Sequence, residues 1–293
     1  MTELVDVVLG GTFHAAVLFL VAAGLQLVFG VQKIVNLACG SFYALGAYFG
    51  ITAVGMALKL GMPAPLFFPV LILAGLAIGL VGLPIERVLR TIYRRDESYQ
   101  LLITFGFLLM FQDAFRYLWG ATPRTMDNVY LAYGTAHILG VRVPTYNLLV
   151  IAASLAIAVA LGLFLERTKT GRIVRATAEN RVMAEALGVD VRRVYAVVFT
   201  LGAVLGTTAG ALVVPTAAAS LDMAIEFVVE AFAVVVIGGL GSMRGALAGA
   251  LIVGLIRALS IVYFPEFEVL AIYVIVIAVL IFRPVGLFGR AVA

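Results

Sequence analysis

The sequence predicts an all-α integral membrane protein, a polytopic bundle of about eight or nine transmembrane helices with some short or broken members. Three observations carry this prediction. First, the 293 residues are 63% hydrophobic and only 12% charged. Soluble domains are about 45–50% apolar and about 25% charged, so no soluble core of this size could hold so many apolar side chains. Second, the mean hydropathy of +1.14 comes from long continuous apolar runs, not alternating ones. Third, a membrane admits only helices or closed barrels, because every backbone polar group must be satisfied within the fold. Continuous runs then select helices.

A span needs about 20 apolar residues. Taken in order, spans fall at about 12–31, 37–58, 66–83, 99–118, 146–165, 194–214, 227–240, 245–263 and 269–283. The segment 227–240 is short and ends in GGLGS, as a half-helix would, which leaves the count at eight or nine. The first basic residue is Lys33, preceded by Glu3 and Asp6, so the N-terminus does not read as a cleavable signal, which starts with positive charge. Residues 119–145 are long enough for a small ordered cap, and 215–226 lie on the same side. No linker or charge run divides the chain, which reads as one domain over 1–293.

Orientation follows from lysine and arginine, which gather on the cytoplasmic side. With the N-terminus outside, the inner segments hold Lys33, four arginines in 84–98, seven basic residues in 166–193, Arg244, Arg283 and Arg290. The outer segments hold only Lys59, Arg124 and Arg142. The reading is therefore N-terminus outside and C-terminus cytoplasmic. The basic residues sit between spans and form no continuous face, so no nucleic-acid partner is expected. Cys39 is the single cysteine and excludes an internal disulfide. His14 and His137 read as isolated, so no metal site is expected.

Charges inside spans mark function or structure. Arg116 follows Asp113 at helical neighbour spacing and suits a pair. Glu226 and Glu230 lie four apart at the outer start of a span. Arg257 interrupts an apolar run and faces either a subunit interface or a pore. Asp222, Glu226 and Glu230 also offer negative charge to a basic partner outside.

The most informative polar stretch is the cytoplasmic loop at about 166–193, ERTKTGRIVRATAENRVMAEALGVDVRR. Good helix formers over 173–188 predict a short helix, with Gly188 as its stop. Val174, Ala178, Val182 and Ala186 recur every four residues with Leu187 beside them. Arg175, Glu179, Arg181 and Glu185 lie mostly on other faces. Such a loop either fixes topology through its arginines or presents a helix to a cytoplasmic partner.

The stretch VNLACGSFYALGAYFG, residues 35–50, places glycines and polar groups at membrane depth. Gly40, Gly46 and Gly50 allow close helix approach. Asn36 and Ser41 can satisfy backbone groups where a helix breaks. Gly238, Gly239, Gly241 and Ser242 form a similar segment in the second half. Glycine-interrupted segments in both halves point to a transport pathway, giving Asn36, Gly40, Ser41, Tyr43, Gly238, Gly239, Gly241 and Ser242 as candidates. The alternative is tight helix packing without substrate contact.

Several of these stretches resemble one family. TAENRVMAEALGVDVRRV is similar to the coupling loop of bacterial ATP-binding-cassette importer permeases, with Glu185, Ala186 and Gly188 at its core. VNLACGSFYALGAY, AFAVVVIGGLGSMRGALAGALIVGLI and RPVGLFG resemble segments of branched-chain amino acid permeases. ERVLRTIYR together with LLITFGFLLMFQDAFRYLWG is most like the LivH-type inner-membrane subunit. Cys39 stands where that family usually has His. The resemblance implies a non-enzymatic permease in the bacterial inner membrane, with ATP hydrolysed on separate subunits and no cofactor bound by this chain. It implies a second permease subunit forming a heterodimer, two cytoplasmic ATPase subunits and an extracytoplasmic solute-binding protein. Arg175, Glu179, Asn180, Arg181, Glu185, Ala186 and Gly188 would then couple to the ATPase. The implied cargo is branched-chain or related hydrophobic amino acids, with urea or short amides as the alternative.

Two rival classes need other residues. An ion-coupled secondary transporter needs a mid-membrane carboxylate chain or ion cage, whereas the carboxylates here gather near span ends. A hydrolase needs a Ser–His, paired-aspartate or H-E-x-x-H arrangement, and no catalytic residue is expected. GGLGSMRG lacks the Lys followed by Ser or Thr of a phosphate loop.

Overall fold

The computed structural model describes residues 2–34, 36–92, 96–138, 141–283 and 285–289. Val35, Arg94, Arg95, Pro284 and Arg290, which belong to stretches considered above, lie outside the described residues. Helix α1 spans Thr2–Gln32 and α2 spans Cys39–Lys59. The third span is two helices, α3 (Phe67–Gly79) and α4 (Gly82–Leu89), joined by a tight turn. Leu80 and Val81 donate only three residues back, and Pro84 has no N–H to continue the ladder. Then come α5 (Glu97–Trp119), a cap of α6 (Asp127–Ala132) with strands β1 (Thr135–Ile138) and β2 (Val141–Pro144), and α7 (Thr145–Arg167). Two short helices, α8 (Lys169–Glu179) and α9 (Arg181–Ala186), precede α10 (Val191–Val213), α11 (Met223–Gly238), α12 (Met243–Tyr263) and α13 (Glu268–Phe282).

Seven helical segments among the described residues are long and apolar enough to cross a membrane, counting α3 with α4. Helices α11 and α13 have 16 and 15 residues, about 22–24 Å at 1.5 Å per residue. They fall just short of a hydrocarbon core of about 30 Å. The chain is a multi-pass helical membrane protein, as its composition requires. Helix α1 starts ten residues before the expected span, and its apolar segment reaches back to Val5. Its 31 residues reach about 46 Å.

Helices α1 and α10 form the centre, with 78% of each apolar window buried, against 17% for α5 and α7. Small residues permit this density without a hydrophobic force between helices. A Cβ at Gly46 would collide with the Thr207 carbonyl of α10, and one at Gly210 would collide with the Tyr43 carbonyl of α2. The two helices therefore meet backbone to backbone. Tyr43, Tyr48, Phe115, Phe199 and Tyr146 fill the remaining volume.

The predicted cap is present at one end of the bundle. Strands β1 and β2 pair antiparallel, with His137 opposite Arg142. The Tyr133 hydroxyl accepts from the Phe68 N–H at 2.8 Å and donates to the Pro65 carbonyl. Buried Tyr146 donates to the Leu212 carbonyl at 2.6 Å. Arg124 and Ala219 exchange backbone hydrogen bonds, which pins the cap to the loop between α10 and α11.

Candidate functional site

The α8–α9 segment lies at the opposite end from the cap. Thr168 starts α8 by accepting from the Gly171 N–H at 2.9 Å. One helix was expected over 173–188, but the structure has two, broken at Asn180. Asn180 is extended, with φ −148° and ψ 98°. Its side chain accepts from the Met183 N–H at 2.9 Å. An Asn that satisfies an orphan donor starts a new helix more readily than it continues an old one. Gly188 ends α9 as expected, with φ 84°. Its N–H bonds to the Glu185 carbonyl and the Val189 N–H to the Ala184 carbonyl, both at 3.0 Å. This is the double reverse turn that satisfies a helix C-terminus.

The break redirects the apolar stripe. Val174 is buried on α8 and Ala184 on α9. Val182, Met183 and Leu187 project outward at 76%, 58% and 78% exposure. Arg181 pairs with Glu185 at 3.0 Å, and that hydrogen bond pushes its guanidinium further above its ordinary range. Its guanidinium also lies over the Tyr195 ring, 5.5 Å from the centroid. Arg175 reaches back to the Glu166 carbonyl at 3.4 Å. The result is a small apolar knob in a ring of charge, rigidly capped at both ends.

The glycine-bearing stretches have a different geometry. Residues 39–50 form continuous helix; the chain breaks before them, between α1 and α2. There the Asn36 Oδ1 accepts from the Ala38 N–H at 3.0 Å. A Cβ at Gly40 would collide with the Ala224 carbonyl of α11. Ser41 is buried and its Oγ has no hydrogen-bond partner among the described residues. Tyr43 stacks on Phe227 with centroids 3.7 Å apart. Gly238 packs against Gly245, while Gly239 and Gly241 take φ of 96° and 81°. Ser242 caps α12 by accepting from the Gly245 N–H at 3.1 Å. The buried Gln26 of α1 holds this turn from both sides, donating to the Gly239 carbonyl at 2.9 Å and accepting from the Gly241 N–H at 2.5 Å. The tail folds over the same turn, with Leu287 and Phe288 N–H groups bonded to the Ile237 and Gly238 carbonyls.

The intramembrane charges are arranged otherwise than their spacing suggested. Asp113 and Arg116 are both exposed and make no ion pair with each other among the described residues. His14 is not isolated. Its Nε2 lies 2.9 Å from both Glu230 Oε2 and Arg257 Nη1. Arg257 also binds Glu230 Oε1 at 2.7 Å and Glu268 Oε1 at 2.5 Å. This cluster joins α1, α11, α12 and α13 across 254 positions of sequence, and the only trace in the sequence was charge in apolar runs. No group of three metal-ligating side chains occurs among the described residues.

Comparison with known proteins agrees with this architecture. The family described as "Branched-chain amino acid transport system / permease component" matches residues 7–282. The permease protein BraD of the high-affinity branched-chain amino acid transport system of Pseudomonas aeruginosa is 27% identical, over 92% of this chain and 91% of that protein. The corresponding LivH of Salmonella typhimurium is 28% identical, over 97% and 93%. The ribose import permease protein RbsC of Haemophilus influenzae is 26% identical, over 86% and 76%. With nearly the whole chain matched, this protein belongs to the branched-chain amino acid transport permease family and is a membrane permease component.

Proposed function

We propose that this chain is one of the two permease subunits of an ATP-binding-cassette importer for branched-chain or related hydrophobic amino acids. The α9 knob is the observation that carries the reading. Val182, Met183 and Leu187 are apolar, exposed and held by caps at both ends, which suits insertion into a groove of a partner. In this reading two ATPase subunits dock on α8 and α9 from the cytoplasm, with Arg175, Glu179, Asn180, Arg181, Glu185, Ala186 and Gly188 setting the contact. An extracytoplasmic binding protein delivers cargo at the cap end, and the N-terminus lies on that side. A second permease subunit covers part of the exposed surface of α5, α7 and α13.

The pathway residues act, in this reading, by fixing helix spacing. Gly40, Gly238 and Gly239 let helices or turns touch, Asn36 and Ser242 cap helix ends, Tyr43 fills the seam between α2 and α11, and Ser41 is buried on α2. Gly241 shapes the turn that Gln26 holds. ATP hydrolysis belongs to the partner subunits, and no cofactor is assigned to this chain. Urea or a short amide is the alternative cargo for the same assembly.

The test is uptake of labelled leucine into proteoliposomes holding the complete importer, with an Ala186→Glu, Gly188→Pro variant beside it. ATP-dependent leucine uptake, lost in a variant that still assembles, supports cargo and docking together. ATP-dependent uptake of urea or an amide but not leucine replaces the cargo and keeps the mechanism. Uptake that ignores ATP and follows an ion gradient overturns the proposal.

A further inference from the structure

The His14 cluster is not used by the transport reading, and its geometry contains a conflict. A ring nitrogen either carries a proton and donates, or carries a lone pair and accepts. His14 Nε2 stands 2.9 Å from a carboxylate oxygen of Glu230, which only accepts, and 2.9 Å from Nη1 of Arg257, which only donates. It can satisfy one of them at a time. Without a proton at Nε2 it accepts from Arg257 and sets lone pair against lone pair at Glu230. With the proton there it donates to Glu230 and sets N–H against N–H at Arg257.

We infer that His14 is a proton-controlled latch: the neutral ring, with its one proton on Nδ1, accepts at Nε2 from Arg257 of α12, and when the ring takes up a second proton at Nε2 it donates to Glu230 of α11 instead. The surrounding groups suit the exchange. Arg257 keeps Glu230 and Glu268 in either state, so the bridge from α12 to α11 and α13 persists. Asp6, on the same helix as His14, lines a cavity of about 340 Å³ that also includes His14 and Arg257, with walls of Phe13, Ile261 and Val262. The His14 side chain is 19% exposed, so the imidazole is not sealed within the bundle. Glu226 lies one turn before Glu230 on α11. From α2, Tyr43 stacks on Phe227, whose ring meets the His14 imidazole at 5.9 Å and 60°. Arg257 holds Glu230 and Glu268 and Asp6 lines the same cavity, so the carboxylates there outnumber the guanidinium, a surplus of negative charge that a protonated imidazole reduces. The inference concerns this chain alone and does not depend on cargo or partners.

The full chain in lipid nanodiscs, labelled with ¹⁵N at histidine and arginine, tests it between about pH 5 and 8, where imidazole changes charge. The chain has two histidines, so His137→Gln leaves His14 as the single imidazole signal, and Arg257→Lys identifies the Arg257 signal by its loss. The latch predicts one titration of His14 with the Arg257 guanidinium moving at the same midpoint. In His14→Gln the amide can donate to Glu230 and accept from Arg257 together, so the Arg257 signal should become independent of pH. A His14 that does not titrate in this range overturns the latch. So does an Arg257 signal that ignores the His14 titration, or one that still moves in His14→Gln.

Discussion

Helix α9 has six residues, far below the roughly 12–15 at which an isolated helix holds in water. Its order must come from its ends, and both ends are open to substitution. Asn180→Ala removes the cap on the Met183 N–H, a loss of about 1 kcal/mol. Gly188→Ala meets no atom within 4 Å, so space is no obstacle, but it forces a side chain into φ 84° at about 1–2 kcal/mol. The sites sit at opposite ends of the helix, and together they cost about 2–3 kcal/mol. At about 1.4 kcal/mol per tenfold, local opening should rise roughly thirty- to hundred-fold. Only Ala184 of α9 is buried, so the loss should stay local. Amide hydrogen exchange in nanodiscs should show faster exchange confined to 181–189, with the thermal midpoint of the bundle little changed. In the complete importer, the same variant should lose ATP-driven uptake. Unchanged exchange would refute the capping account. Faster exchange with full uptake would refute the role given to an ordered α9.

Other consequences follow from packing. Gly46→Ala should lower stability by about 1–3 kcal/mol or more, read as a lower thermal midpoint in detergent, because its Cβ meets the Thr207 carbonyl. Gly55→Ala on the same helix meets nothing within 4 Å and should be neutral or stabilising by up to about 1 kcal/mol, so equal losses at both sites would refute the close-approach account. Gln26→Leu leaves the Gly239 carbonyl and Gly241 N–H without their partner, about 1–3 kcal/mol each if both stay dry. Limited proteolysis should then find the 239–242 turn and the tail over it more accessible, and an unchanged cleavage pattern would count against Gln26 as the clamp.

The sequence made the membrane spans legible because lipid demands long apolar runs, and the third span shows the limit of that signal. Hydropathy does not see the turn at Leu80–Val81, although Pro84 marked it. Gly188 announced the end of α9 through its freedom at positive φ. The four-residue stripe around Asn180 suggests one helix and conceals the break at which its side chain caps α9. The glycines of 35–50 read either as a helix interruption or as points of close helix packing. Their missing side chains admit α10 at Gly46 and α11 at Gly40, and sequence alone does not say which helix comes to each. The His14 cluster was beyond reach, because four residues on four helices carry no local pattern, and only the fold brings them to one depth.

If α9 seats in an ATPase subunit as proposed, the contact can be trapped in the assembled importer. Cys39 is buried and is the single native cysteine, so a new surface cysteine can be labelled selectively. Leu187→Cys and Leu118→Cys replace exposed leucines at opposite ends of the bundle, 78% and 64% exposed. Each would carry a benzophenone photocrosslinker in the assembled importer. A crosslink should form from position 187 to the ATPase subunit and none from position 118. An ATPase crosslink from 118, or none from 187 in an importer that still transports, would contradict that seating.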